Sequence, residues 1–320
     1  MTEGNMSRRG FINRGVVAAG AAGLVAGQAH AAPGPPELPV RFGLNLLVYT
    51  AAFTKNEVDL IQKVADMGYD GVEIPFNDLD ILDPKATRQA REKAGVGLTA
   101  CAVLMPGSNV TSPDAAERKA GVACLKRMVD ITAEMGGDAV AGPIYAPVGH
   151  LTGRARTADE WKWGVEGLRA AAEHGGEAGI DLAIESINRF ETYYLNTTED
   201  AIKLVKEVDH PNLKVQVDTF HANIEEKDTP AAIRAAGPVL GHFHASESDR
   251  GIPGTGQVPW KECFAALREV GYDRWVTIES FAIGILDLCA AACIWRPINA
   301  SADDLAVIGL AFLKAMARTA

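Results

Sequence analysis

The chain has 320 residues, 48% of them hydrophobic, and its 31 basic and 41 acidic residues give a formal charge of −10. With no local basic patch, that balance repels a phosphate backbone and argues against a nucleic-acid partner, while the length fits a single barrel-sized core. Five cysteines, at 101, 124, 263, 289 and 293, show no CxxC spacing and are odd in number, which excludes a closed disulfide framework and reads as small core residues.

The first 31 residues differ from the rest. Ser7-Arg8-Arg9-Gly10-Phe11-Ile12 precedes an uncharged run from Gly15 to Gln28 that ends in Ala29-His30-Ala31. A positive region, an apolar stretch too short for a stable membrane anchor and a small-residue cleavage site read as a twin-arginine export signal over residues 1–31. The expected partner is the twin-arginine export machinery, and the expected location is the periplasm or the exterior. Cleavage after Ala31 would remove Arg8, Arg9, Arg14 and Glu3, taking the formal charge from −10 to −12. That route carries folded proteins, commonly with a cofactor already inserted, so it hints at a metal loaded in the cytoplasm. Residues 32–40, proline-rich from Pro33 to Pro39, read as a linker into a domain spanning 41–320.

Within that domain, short apolar β-branched runs alternate with longer stretches of helical periodicity. The strand runs are Phe42 to Val48, Gly71 to Ile74, Leu98 to Leu104, Ala139 to Gly142, Leu182 to Glu185, Lys214 to Asp218, Gly241 to His244 and Trp275 to Glu279. Between them, Glu57 to Met67, Ala115 to Met135, Ala158 to Ala178, Thr198 to Val208 and Trp260 to Val270 carry apolar residues at helical spacing, and several of these end in glycine, as a helix stop should. Eight βα units predict an α/β fold of the (β/α)8 TIM-barrel type, with a doubly wound sheet as the runner-up.

In a parallel barrel the catalytic groups lie where strands end. The last four runs each close on a polar residue: Glu185, Asp218, His244 and Glu279, separated by 33, 26 and 35 positions, about one βα unit each. Neighbouring strands would bring all four to one mouth, where three carboxylates would repel one another without a cation. Carboxylates with one imidazole make a hard, oxygen-rich site suited to Mn2+, with Mg2+ or Co2+ as alternatives. Asn188, Arg189 and Glu191, His221, and Glu247 and Arg250 follow these positions closely and would occupy the loops over the metal. Gly251, Pro253, Gly254, Gly256 and Pro259 mark a turn-rich loop, a lid or wall, because no helix opens from it in the manner of a phosphate cradle.

At these segments the sequence resembles the ketose 3-epimerases, the D-tagatose/D-allulose 3-epimerase group of xylose-isomerase-like barrels. The blocks that carry the resemblance are Glu185-Ser-Ile-Asn-Arg-Phe-Glu191, Val217-Asp-Thr-Phe-His-Ala-Asn-Ile-Glu-Glu226, Gly241-His-Phe-His-Ala-Ser-Glu-Ser-Asp-Arg250 followed by Pro253-Gly-Thr-Gly-Gln-Val-Pro-Trp260, and Glu279 before Ser280-Phe281. The resemblance is strong from about residue 180 to 281 and weaker from 41 to 180. It implies a metal held by Glu185, Asp218, His244 and Glu279, on which the carbonyl and neighbouring hydroxyl of a sugar bind. It further implies that Glu185 and Glu279 exchange the C3 proton across an enediolate, and that Glu191, His221 and Arg250 hydrogen-bond the O1 to O3 end. Relatives are often homodimers or homotetramers. The chain departs from the family at Ser280, where proline is common, at Gly43 to Tyr49, around Met105 to Asn109, and over Ala282 to Pro297.

The same metal and bases would serve an aldose-ketose isomerase, or an epimerase or lyase acting on 3-keto-glycosides, since all need a proton removed next to a carbonyl. A silent periplasmic sugar-binding protein is the non-enzyme alternative, and intact glutamates at both base positions argue against it. A barrel endonuclease would carry more metal histidines and a basic groove, against seven histidines and an acidic balance here.

Overall fold

A computed structural model describes residues 36–320 apart from positions 283 and 300; the export signal expected over residues 1–31 lies outside the described residues. Eight parallel strands, β1 (Arg41–Asn45), β2 (Gly71–Phe76), β3 (Gly97–Ala102), β4 (Ala139–Gly142), β5 (Asp181–Glu185), β6 (Leu213–Asp218), β7 (Leu240–His244) and β8 (Trp275–Ile278), close in sequence order. Closure runs through β1 and β8, with Leu44 opposite Ile278. The doubly wound alternative is therefore excluded, because an open sheet has no pairing of first strand with last.

The strands alternate in what they bury. Phe42, Leu44, Val72, Ile74, Leu98, Val140, Leu182, Ile184, Val215, Val217, Phe243, Val276 and Ile278 belong to the main hydrophobic core, as expected where helices cover the outside of a parallel sheet. The alternate positions face the barrel axis and are largely polar: Asn45, Glu73, Thr99, Gln216, His242 and Thr277 are all buried. At the N-terminal end the indole of Trp275 fills the barrel against Gly71 and Gly97, where any side chain would collide with its ring.

The outer ring comprises α1 (Asp59–Asp66), α2 (Pro84–Ala94), α3 (Ala115–Met135), α4 (Ala158–Ala178), α5 (Thr198–Val208), α6 (Thr219–Glu225), α7 (Thr229–Ala236), α8 (Trp260–Glu269), α9 (Leu286–Ala291) and α10 (Ala302–Thr319). The glycine stop expected after Met135 is present, with Gly136 left-handed at φ 78°. The Thr157 hydroxyl and Glu160 form a reciprocal cap at the start of α4. The first strand is shorter than its apolar run: Asn45 caps a 3-10 turn over Leu46–Val48 by accepting from the Leu47 N–H, which turns the chain out of the sheet. Leu38, in the stretch read as linker, is buried, and its N–H donates to the Ala317 carbonyl of α10. Among the described residues, no helix is long and apolar enough to cross a membrane.

Candidate functional site

Each of the four sequence-predicted ligand positions stands at the C-terminal end of its strand. Glu185 ends β5, Asp218 ends β6, His244 ends β7, and Glu279 follows β8 directly. All four are buried. Single ligand atoms of Glu185, Asp218 and His244 lie within 4.8 Å of one another. The His244 Nδ1 is 3.6 Å from Asp218 Oδ2 and 3.6 Å from Glu279 Oε1. Thus the structure brings the four together.

The cluster has the chemistry of a cation site. Glu185 Oε1 is buried with no hydrogen-bond partner among the described residues. Burial, and then the charges of Asp218 and Glu279, push the Glu185 carboxyl well above the usual carboxylate range. Arg250 offsets part of this, donating from Nη1 to Glu279 Oε2 at 2.9 Å and to Asp218 Oδ2 at 3.2 Å. Three carboxylates face one guanidinium here, and a divalent cation among them would favour the charged form of all three. The residues present fit such a group.

The second carboxylate environment differs from the first. Glu279 accepts from Arg250, from Asn45 Nδ2 at 3.3 Å and from the Cys101 thiol at 3.5 Å. Asp218 accepts from the Ser246 hydroxyl at 2.9 Å and from the Phe220 N–H at 2.6 Å, so its position is set from two loops.

Of the residues expected in loops over the metal, Arg250 and His221, which stands in α6, turn inward and are buried, and Glu191 joins them in lining the cavity. The Asn188 backbone N–H donates to His221 Nδ1 at 3.1 Å, and His221 Nε2 lies 3.8 Å from Glu185 Oε1 and 3.3 Å from Arg250 Nη2. Burial lowers the His221 pKa, which keeps the ring neutral. The Asn188 side chain also donates to Glu191 at 2.7 Å. Arg250 lies against the Phe220 ring at 3.9 Å and sits at φ 63°, a left-handed conformation rare outside glycine. Its carbonyl accepts from the buried Ser280 hydroxyl at 2.6 Å. That bond gives Ser280, where the family pattern has proline, a defined task.

Two loop residues expected over the metal are elsewhere. Glu247 turns away into its own loop, accepting from the N–H groups of Ser248, Gly254 and Val258 and from the Trp260 indole. Its carboxylate therefore holds the glycine-rich loop in shape. Arg189 points outward and pairs with Glu225 at 2.9 Å.

Sequence reasoning missed a polar layer beneath the ligands. Glu73 lies between two imidazoles, 2.8 Å from His244 Nε2 and 2.8 Å from His242 Nε2, and also accepts from Asn45 and Thr99. Burial opposes its ionisation, but the two histidines hold its carboxyl well below the usual range. With Nε2 directed at Glu73, the His244 Nδ1 is the nitrogen that faces the cluster. Gln216 Nε2 lies 3.0 Å from the same Nδ1. The available signal was parity: Gln216 and His242 stand two positions before Asp218 and His244, on the same strand face.

The cavity above the cluster is about 300 Å3. It is lined by the polar Asn77, Glu185, Glu191, His221, Arg250 and Glu279 and by the apolar Leu47, Val103, Met105, Val148, Phe281 and Leu288.

Fold and site together define a xylose isomerase-like TIM barrel, and the family model of that description matches residues 61–316. A "Probable ketose 3-epimerase" of Synechocystis sp. is 35% identical over 275 residues, 86% of this chain and 96% of that protein. The D-psicose 3-epimerase of Agrobacterium fabrum is 36% identical, covering 76% of this chain and 86% of its own. A crystal structure of D-allulose 3-epimerase from Methylomonas sp. in complex with D-allulose matches with a TM-score of 0.83 at 31% identity, over 90% of this chain and all of that one. The chain belongs to the ketose 3-epimerase family.

Proposed function

We propose that the chain epimerises a free ketose at C3, removing the C3 proton on one face and returning a proton on the other through a cis-enediolate. The observation that carries this reading is the pair of buried glutamates, Glu185 and Glu279, standing at one cavity in unlike environments. Glu185 Oε1 has no hydrogen bond among the described residues and is the free acceptor; Glu279 is held by Arg250, Asn45 and Cys101. One takes the proton and the other returns it, with roles exchanged in the reverse direction. Arg250, His221 and Glu191 hold the oxygens around the carbonyl, which fixes the reacting carbon between the two carboxylates.

Glu185, Asp218, His244 and Glu279 would hold one divalent metal, which when bound stabilises the negative charge that develops on the carbonyl oxygen. The oxygen-rich donor set favours Mn2+, with Mg2+ or Co2+ able to substitute. Residues 1–31 direct export by the twin-arginine route to the periplasm or the medium, and the mature chain assembles as a homodimer or homotetramer. Mass spectrometry of exported protein should find an N-terminus after Ala31; an unprocessed cytoplasmic chain would contradict the export reading. For the activity itself, Mn2+-loaded protein is incubated with D-fructose, D-tagatose and ketopentoses, and products are separated by chromatography. A C3 epimer is the expected product; none from any ketose removes the proposal.

A further inference from the structure

The segment after β8 that departs from the family pattern builds a second feature beside the reaction cavity. Its residues Leu288 and Ala292 wall the cavity with Phe281 just before it, and beyond Ala292 the chain lines a groove of about 560 Å3. Glu191, Phe220, Arg250 and Ala292 line both spaces, so the groove adjoins the cavity beside the groups assigned to the carbonyl.

Two large aromatic side chains from separate segments line it: Phe190, from the loop after β5, is 72% exposed, and Trp295 is 76% exposed. A single exposed aromatic needs no explanation. Two lining one groove that adjoins a sugar-sized cavity form apolar platforms for the C–H faces of a ring. Asn188, Asp249 and Arg296 supply polar edges for its hydroxyls, and Arg296 pairs with Asp249 at 3.7 Å.

The position of the carbonyl decides which end of a substrate lies nearest the groove. A 2-ketose has a single carbon on one side of its carbonyl and the rest of its chain on the other. With the oxygens around the carbonyl held by Glu191 and Arg250, which line both spaces, the single-carbon end bearing O1 lies nearest the groove.

We propose that this groove is a subsite for a second sugar ring joined through O1 of the reacting ketose, so that the chain's substrates include O1-glycosylated ketoses. This rests on the epimerase reading for the chemistry. The reaction is unchanged by it: only the C3–H bond breaks and re-forms, and the glycosidic bond is untouched.

The test compares 1-O-α-D-glucopyranosyl-D-fructose, its 6-O-linked isomer and D-fructose, on wild type and on Trp295→Ala, Phe190→Ala and Trp295→Phe. In the wild type kcat/KM for the 1-O-linked sugar should exceed that for D-fructose by about tenfold, the scale of an aromatic stacking contact. Trp295→Ala and Phe190→Ala should each collapse that ratio, Trp295→Phe should keep most of it, and the 6-O isomer should gain nothing. A ratio at or below one, a ratio indifferent to both alanine variants, or an equal gain for the 6-O isomer overturns the proposal.

Saturation-transfer NMR on the Mg2+-loaded protein reads contact independently of turnover. Saturated glucosyl protons that disappear in Trp295→Ala support the subsite even if no ketose is epimerised, which would remove only the epimerase reading. Saturation confined to the fructosyl ring, or a solution mass that falls to monomer in the alanine variants because the two rings pack against a second copy of the chain, overturns the subsite.

Discussion

Replacing Glu73 by glutamine tests whether the buried layer sets the properties of the cluster above it. Glu73 lies 2.8 Å from both His242 Nε2 and His244 Nε2 and is fully buried. Glutamine keeps the volume but removes the charge, and its amide can accept from one imidazole only by presenting an N–H to the other. His244 then loses the partner that keeps Nδ1 directed at Asp218 and Glu279. Loss of such an outer partner costs about 10- to 100-fold in metal affinity, which is about 1.4 to 2.7 kcal/mol. Calorimetric titration of the metal-free proteins with Mn2+ reads this directly, and circular dichroism checks that the variant is folded. A folded Glu73→Gln protein that binds Mn2+ within about twofold of wild type would show that the imidazole is oriented by something other than Glu73.

Three further outcomes are expected. Glu185→Gln and Glu279→Gln should each lower kcat by about 100-fold or more while the fold survives; a variant retaining a tenth of wild-type turnover would remove that glutamate from the proton path. Glu247→Gln breaks a carboxylate that accepts from four donors and should cost about 1–3 kcal/mol, read as a lower denaturant midpoint; an unchanged midpoint would mean the loop holds its shape without that charge. The Arg154 guanidinium, followed by the α4 cap, lowers the Glu160 carboxyl to about 2. Because the folded value lies below the unfolded one, its contribution is present above about pH 4.5 and lost as pH falls toward 2. With Arg154 half exposed, the effect is about 1 kcal/mol or less. Glu160→Gln should lower stability at pH 7 and flatten the acid limb between those values; an unaltered limb would contradict the assignment.

The strand ends were legible because a parallel barrel buries both faces of each strand, so a polar residue closing an apolar run stands out. Glu185, Asp218, His244 and Glu279 follow from that rule. Glu73 does not, because it sits inside Val72-Glu73-Ile74 and not at its end, and its justification lies on β7, far along the chain. Gln216 and His242 were legible in principle through period two, which places them beneath Asp218 and His244. Glu247 was assigned to the mouth by its distance from His244; the direction of its side chain depends on where the loop folds back to offer four donors, which spacing does not encode. The wall from Ala282 to Leu288 followed no family pattern, and its apolar residues find their neighbours, Leu47 among them, only once β1 and β8 close the barrel.

The most direct measurement is proton exchange at the reacting carbon. Mn2+ is loaded, a ketose is incubated with the protein in deuterated water, the metal is removed and the sugar is examined by NMR. Deuterium at C3 of both the substrate and a new C3 epimer, absent from Glu185→Gln and Glu279→Gln, is the expected result. Epimer formed without deuterium, or label at C1 with an aldose as product, would contradict proton transfer between these two carboxylates at C3.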